Sequence, residues 1–145
     1  MEIIEVGKEN LRDILNISNE VFKEESWNAR QFENTIETGR SIFLLAQEDG
    51  EALAFILAED LIDSVNLLLI ATSEKHRNKK IATRLIFELE NIVKNKKINK
   101  IWLEVKENNF SAINFYKKNN FKNIYLRRNY YKNGINAIIF EKILN

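Results

Sequence analysis

Residues 64–85 read Ser-Val-Asn-Leu-Leu-Leu-Ile-Ala-Thr-Ser-Glu-Lys-His-Arg-Asn-Lys-Lys-Ile-Ala-Thr-Arg-Leu, and they carry the strongest structural signal in the chain. The apolar run 64–71 predicts a buried strand, and the periodicity from Ile81 predicts a helix to about Asn95. Between them, residues 75–80 carry four formal positive charges. Because a helix N-terminus offers unpaired N–H groups and a positive dipole end, this unit predicts a pocket for a pyrophosphate-bearing cofactor. A solvated basic turn and a patch for RNA or the ribosome are the alternatives.

Hydrophobic periodicity on either side of this unit predicts an alternating α/β chain. The Asp49-Gly50 pair between two apolar runs is typical of a hairpin turn. The order β-α-α-β-β-β-α-β-α-β-β predicts one α/β domain over 1–145, with a mixed, mostly antiparallel sheet of about seven strands flanked by about four helices. The other predicted strands are 2–6, 41–47, 52–59, 100–105, 121–128 and 137–143, and the other helices are 9–23, 27–37 and 109 or 111–118.

Composition excludes several classes of chemistry. The chain has 145 residues, no Cys and one His, so disulfides, thiolate nucleophiles and the usual zinc sites are absent. The net charge of +1 says little about partners. No apolar run approaches the ~18 residues of a membrane span, and the N-terminus lacks a signal-peptide pattern. We therefore expect a cytoplasmic protein without a membrane partner.

Residues 70–85 resemble the acetyl-CoA segment of the GNAT superfamily, a strand followed by R/Q-x-x-G-x-G/A and a helix. Arg77 matches the first position of this motif and Ala82 the last, whereas Lys80 replaces a Gly. If φ is positive at position 80, a side chain there destabilises the fold by ~1 kcal/mol. The resemblance implies a central strand that splays from its neighbour and pairs with the pantetheine arm of acetyl-CoA, with pyrophosphate on the loop N–H groups. The cofactor-binding residues it implies are Ile70, Ala71, Thr72, Arg77, Asn78, Lys79, Lys80, Ile81, Ala82, Thr83 and Asn109.

Residues 103–121 resemble the pattern L-E-V-R-x-x-N-x-x-A-I-x-x-Y-x-x-x-G-F of the RimI-type members of that superfamily. Residues 127–131 and 136–140 are similar to the R-x-x-Y-Y and D-A-I-I-M blocks of the same enzymes, and Trp27 falls where they keep a Trp. The departures are Asn for Gly at position 120 and Asn for Asp at position 136.

Two residues of this pattern are the candidate catalytic pair. Glu104 points away from its apolar strand neighbours, and desolvation there would make it a better base. Tyr116 shares a helix face with Ala112 and Ile113, which places a phenol near the end of the same strand and one cleft. In the resembling enzymes this Tyr protonates the leaving CoA thiolate. The alternatives are that Glu104 pairs with Lys106 or Lys117 at the surface and that Tyr116 is a core residue; Asn109 is equally well explained as an N-cap.

The resemblance implies an acetyl-CoA-dependent N-acetyltransferase that modifies a protein N-terminus by direct attack in a ternary complex. The acceptor it suggests is the N-terminal alanine of a small-subunit ribosomal protein, entering between Glu24, Trp27 and the pair Tyr130, Tyr131. A lysine, polyamine or small-molecule amine is an alternative acceptor, and an RNA- or ribosome-binding module is an alternative of another class. We expect no metal, no direct nucleic-acid binding, and a monomer or weak dimer.

Overall fold

The computed structural model describes all 145 residues and builds them around one seven-stranded sheet. The strands are β1 Glu2–Glu5, β2 Ser41–Glu48, β3 Glu51–Asp60, β4 Val65–Thr72, β5 Lys100–Lys106, β6 Lys122–Arg127 and β7 Ala137–Ile143. The helices are α1 Leu11–Phe22, α2 Ala29–Glu37, α3 Ile81–Asn95 and α4 Phe110–Lys118, with 3₁₀ turns at Lys8–Asn10, Lys23–Glu25 and Glu74–His76. The predicted α/β fold, with seven strands and four helices, is confirmed.

The sheet has the strand order β1-β2-β3-β4-β5-β7-β6, and every neighbouring pair is antiparallel except β4 with β5. The predicted hairpin joins β2 to β3 through Asp49 and Gly50, whose φ angles of 50° and 80° suit a two-residue turn. In β4, Leu67 and Leu69 pair with consecutive residues of β3, which leaves Leu68 as a bulge. A bulge bends its strand and increases its twist.

The parallel pair β4 and β5 separates soon after it forms. Only Val65 with Ile101 and Asn66 with Trp102 are in register, so from Leu67 onward β4 has no strand on that side. β5 continues alone on this edge while its other edge pairs with β7 over its whole length. The sheet is therefore open at its centre, and the predicted splayed strand pair is confirmed.

The helices cover the two faces of the sheet unequally. A core of 23 buried residues includes the inner sides of α3 and α4, and a second core of nine buried residues lies under α1 and α2. Each fully buried aliphatic or aromatic side chain stabilises the fold by about 1.5–3 kcal/mol. The α1/α2 core includes residues of β2, β3 and β4 but none of β5, β6 or β7. The α1/α2 face of the sheet is consequently left open beside the gap.

The observed element bounds lie within two residues of the predicted ones, and the helix predicted from residue 27 shows why they differ. It begins at Ala29 because Asn28 caps it: Asn28 Oδ1 accepts from Gln31 N at 2.9 Å, and Gln31 Oε1 accepts from Asn28 N at 2.8 Å. This reciprocal capping box defines the first turn. None of the helices has the length and apolar character needed to span a bilayer.

Candidate active site

The loop between β4 and α3 presents a run of free backbone donors. The six consecutive N–H groups from Asn78 to Thr83 form no hydrogen bond within the protein. Asn78 and Lys80 have left-handed backbones, with φ of 64° and 61°. Such residues turn successive N–H groups toward a common concavity that binds anions, and the N-terminus of α3 adds the positive end of its dipole. The predicted cofactor loop therefore fits a pyrophosphate.

The basic run that precedes α3 divides into two functional parts. Lys75 Nζ contacts Glu51 Oε2 on the β2–β3 hairpin, and His76 Nε2 lies 3.3 Å from the same oxygen. The hydrogen bond from Lys75 lowers the pKa of Glu51, and the same bond raises the pKa of Lys75. Arg77, Lys79 and Lys80 have no carboxylate partner and are exposed beside the free N–H groups. The first part anchors the loop, and the second leaves three cations available for phosphate.

Lys80 is the position at which this chain departs from the glycine of the resembling sequences. It is the N-cap of α3 and has φ 61° and ψ 23°, the left-handed conformation for which glycine is favoured. The structure thus keeps the backbone shape that glycine would give and adds a cation at the start of the helix. Asn120, which also replaces a glycine, has φ 68°, a conformation that Asn tolerates.

Glu104 lies two residues beyond the last β4–β5 pairing, on the open α1/α2 face of β5. Its neighbours Leu103 and Val105 point into the opposite core. The side chain is 22% exposed, and its Oε2 is enclosed without a hydrogen-bond partner. The nearest cation is Arg127, whose Nη1 is 3.8 Å from Oε2; no ion pair to Lys106 or Lys117 forms. Because an enclosed acceptor without a donor is destabilising, this oxygen fits an incoming N–H or O–H group.

Tyr116 lies on the other side of the sheet from Glu104. It is 9% exposed in the α3/α4 core, with ring centroids 5.6 Å from Phe121 and 6.2 Å from Phe140. Its hydroxyl donates no hydrogen bond within the protein, and burial raises the pKa of Tyr116, so the phenol keeps its proton. The sequence predicted that Glu104 and Tyr116 lie near one cleft, but the structure places the two side chains on opposite faces of β5. A ligand that contacts both must therefore pass through the opening between β4 and β5.

The predicted acceptor residues Tyr130 and Tyr131 surround Glu104. The nearby Glu104 carboxylate raises the pKa of Tyr130, and Arg127 lies over the Tyr130 ring at 5.3 Å. Burial raises the pKa of Tyr131, and the nearby carboxylates of Glu104 and Glu25 act in the same direction. The two rings are edge to face at 5.2 Å. Both phenols therefore line the approach to the candidate base.

The α1–α2 connection supplies the other predicted acceptor residues, and they differ in character. Glu24 is exposed and forms no ion pair. Trp27 is partly buried, with its ring 5.2 Å from that of Phe32 in the α1/α2 core. Trp27 therefore anchors the segment, whereas Glu24 presents a free carboxylate.

Two asparagines of the resembling blocks have structural partners. Asn109 is the N-cap of α4, and its Oδ1 accepts from Ala112 N at 3.2 Å, as the alternative interpretation of this residue expected. Asn136 Oδ1 accepts from Asn129 N at 2.8 Å, and its carbonyl accepts from Glu107 N at 3.0 Å. An Asn serves here as an Asp would, because the contact needs only an acceptor oxygen.

Sequence reasoning named Lys106 only as an alternative partner of Glu104, and it missed the contacts that Lys106 and Arg127 make at the site. Lys106 Nζ lies 2.7 Å from Glu25 Oε1, and Arg127 is the nearest cation to Glu104. The alternation of β5 puts Lys106 on the face of Glu104, which was available from the sequence. The contacts with Glu25 and Arg127 join distant parts of the chain and left no local signal.

Known proteins resemble this chain in sequence and in fold. A profile described as the acetyltransferase (GNAT) family matches residues 8–121. The ribosomal protein bS18 alanine N-acetyltransferase of Haemophilus ducreyi is 30% identical over 84 residues, which are 58% of this chain and 58% of that protein. The match thus spans less than two thirds of that relative.

Two solved structures share the fold. The S18-alanine N-acetyltransferase of Escherichia coli superimposes with a TM-score of 0.89 at 22% identity, covering 99% of this chain and 94% of the other. A PaiA N-acetyltransferase of Thermoplasma acidophilum, solved in complex with coenzyme A, gives 0.79 at 24% identity and 98% coverage of both chains. With the profile spanning most of its length, the chain belongs to the acetyltransferase (GNAT) family.

Proposed function

We propose that residues 1–145 form one N-acetyltransferase domain that transfers an acetyl group from acetyl-CoA to the N-terminal α-amine of a protein. The acceptor we propose is the N-terminal alanine of a small-subunit ribosomal protein, in the cytoplasm, with the enzyme a monomer or weak dimer. One observation carries the proposal. β4 and β5 separate after two paired residues, and β4 then leads through one 3₁₀ turn to six free N–H groups at the start of α3. The name of the Haemophilus ducreyi relative supports the choice of acceptor.

The cosubstrate site follows from the free donors. The N–H groups of Asn78 to Thr83, with the side chains of Arg77, Lys79 and Lys80, hold the pyrophosphate. The backbone of Ile70 to Thr72 borders the opening and pairs with the pantetheine arm. Asn109 supports this site by capping α4. Acetyl-CoA, when bound, supplies a thioester carbonyl to the opening.

Proton transfer begins at the acceptor amine. A free α-amine has a pKa of about 7.7–8.0, so at neutral pH much of it is protonated and cannot attack. Glu104 Oε2, enclosed and without a partner, accepts the proton directly or through one water. The neutral amine then attacks the carbonyl carbon, and a backbone N–H near Thr72 stabilises the developing oxyanion.

The leaving group takes its proton from the other face of the sheet. As the C–S bond breaks, the CoA thiolate receives the proton of the Tyr116 phenol. The proton that the attacking nitrogen loses as it becomes an amide passes through water and restores that phenol. Burial favours the neutral form of Tyr116, so this donor is loaded at neutral pH. With no Cys in the chain, no cysteine thioester intermediate forms, and the acetyl group passes directly to the amine.

Mass spectrometry of the products tests this function. The protein is incubated with acetyl-CoA and a peptide that starts with alanine and carries one internal lysine. A matched peptide has the same sequence with its α-amine formylated. We expect one acetyl group on the α-amine of the first peptide and none on the second. Acetylation of the lysine in both peptides would contradict the proposed acceptor, and no acetylation of any amine would contradict the activity.

A further inference from the structure

Three separate elements meet in one contact beside Glu104. Lys106, the last residue of β5, places Nζ 2.7 Å from Glu25 Oε1 on the α1–α2 connection. The same Nζ lies 5.3 Å from the ring centroid of Tyr131, between β6 and β7. We call these three residues the mouth bridge. The mouth bridge links the two segments between which the acceptor is expected to enter.

The base of the α1–α2 connection is fixed, so Glu25 is held at the end of a supported segment. Ser26 Oγ lies 2.7 Å from Ser18 Oγ, and Trp27 packs on Phe32. Glu25 itself is 71% exposed and Lys106 is 32% exposed, so both charged groups are accessible to a ligand.

The spacing of Glu104 and Lys106 matches that of an extended peptide. They lie two residues apart on one strand face, about 6.6 Å along β5. An extended acceptor advances about 3.3–3.6 Å per residue. An acceptor with its amine at Glu104 and its chain running along β5 toward Lys106 brings its second side chain within reach of the long side chains of Lys106 and Glu25.

We propose that Glu25 and Lys106 form the subsite for the second residue of the acceptor. Their ion pair keeps the subsite from preferring either a basic or an acidic side chain at that residue. This inference rests on the proposed N-terminal acetyltransferase function. While the pair is intact, a basic side chain must compete with Lys106 for Glu25, and an acidic one must compete with Glu25 for Lys106. Removing either member frees the other for an acceptor of opposite charge.

The test compares kcat/KM for three alanine-initiated peptides that differ only in the second residue, which is Arg, Gln or Glu. The variants are Lys106→Met, Glu25→Gln and the charge swap of both, Glu25→Lys with Lys106→Glu. The matched control is Lys100→Met, because Lys100 is also on β5 and also paired, with Glu141 at 3.4 Å.

The Arg-to-Glu ratio of kcat/KM should rise about two- to fivefold in Lys106→Met and fall by a similar factor in Glu25→Gln, the range an accessible ion pair supports. The charge swap restores the pair, so its ratio should stay within about twofold of the wild type, as should that of Lys100→Met. In the control Lys100→Met, kcat for the Gln peptide should not change.

Unchanged ratios in both single variants would refute the subsite. An equal loss of kcat on all three peptides would show that the bridge only maintains the shape of the mouth, which also overturns the proposal. If the wild type acetylates none of the peptides, the proposed function fails and the subsite with it. If the wild type acetylates the peptides but the Arg-to-Glu ratio of kcat/KM is the same in both single variants, only the subsite is wrong and the proposed function stands.

Discussion

Lys80→Gly should stabilise the protein, although it removes a side chain at the start of α3. Lys80 has φ 61°, and a left-handed backbone costs an L-residue about 1–2 kcal/mol. Glycine removes that cost but makes the unfolded chain more flexible, which offsets about 0.4–1 kcal/mol. The net gain is about 0.8 kcal/mol. For a chain of 145 residues the unfolding entropy is about 0.3 kcal/mol per degree, so Tm should rise about 3 °C.

Lys79→Gly is the matched control, and thermal unfolding followed by circular dichroism is the assay. Lys79 is the adjacent exposed lysine, and it does not share the positive φ of Asn78 and Lys80. Both variants lose the same charge. Lys79→Gly also loses the exposed 3.3 Å contact of Nζ with His76 Nδ1, and its greater chain flexibility should lower Tm by about 2 °C. The difference in Tm between the two variants, about 5 °C, measures the free-energy cost of the left-handed backbone at Lys80. Equal Tm changes in both variants would refute the left-handed conformation at Lys80.

Three further substitutions separate the proposed roles. Tyr116→Phe should lower kcat at least tenfold, on the order of a lost general acid, with Kd for acetyl-CoA within about twofold of wild type; unchanged kcat would remove its acid role. Glu104→Gln should reduce the rate most near pH 7 and less above the amine pKa of about 8, where the amine is already neutral; an equal loss at every pH would indicate a positioning role. Asn109→Ala should lower the unfolding free energy by about 1 kcal/mol through the lost cap and leave Kd for acetyl-CoA nearly unchanged; a large rise in Kd at unchanged Tm would instead establish a direct cofactor contact.

The elements of this fold follow from local signals, which is why the sequence predicts them well. The Asp49-Gly50 turn and the periodicity of α3 each depend on neighbouring residues only. All but one of the residues implied for the cofactor lie within residues 70–83, and the structure brings the N–H groups of Asn78 to Thr83 to the start of one helix. The left-handed backbone at Lys80 was not predicted, because nothing about a lysine favours it; only its alignment with a glycine indicates that conformation.

The arrangement across the opening could not be obtained in this way. The faces of Glu104 and Tyr116 depend on how α4 packs on β5, and the strand pattern alone does not decide this. The contacts of Glu25 with Lys106 and of Arg127 with Glu104 join residues that are 81 and 23 positions apart. Surface ion pairs of this kind are worth little individually, so composition and spacing carry no trace of them.

The central claim is that acetyl-CoA enters the gap between β4 and β5 with its pyrophosphate on the amides of Asn78 to Thr83. Amide hydrogen exchange measured by NMR tests it directly, because these six groups have no hydrogen bond in the free protein. Saturating acetyl-CoA should slow exchange at all six, whereas an acetyl thioester of N-acetylcysteamine, which lacks phosphates, should not. If acetyl-CoA binds and exchange at Asn78 to Thr83 is as fast as before, the cosubstrate lies elsewhere and the assignment of this site is wrong.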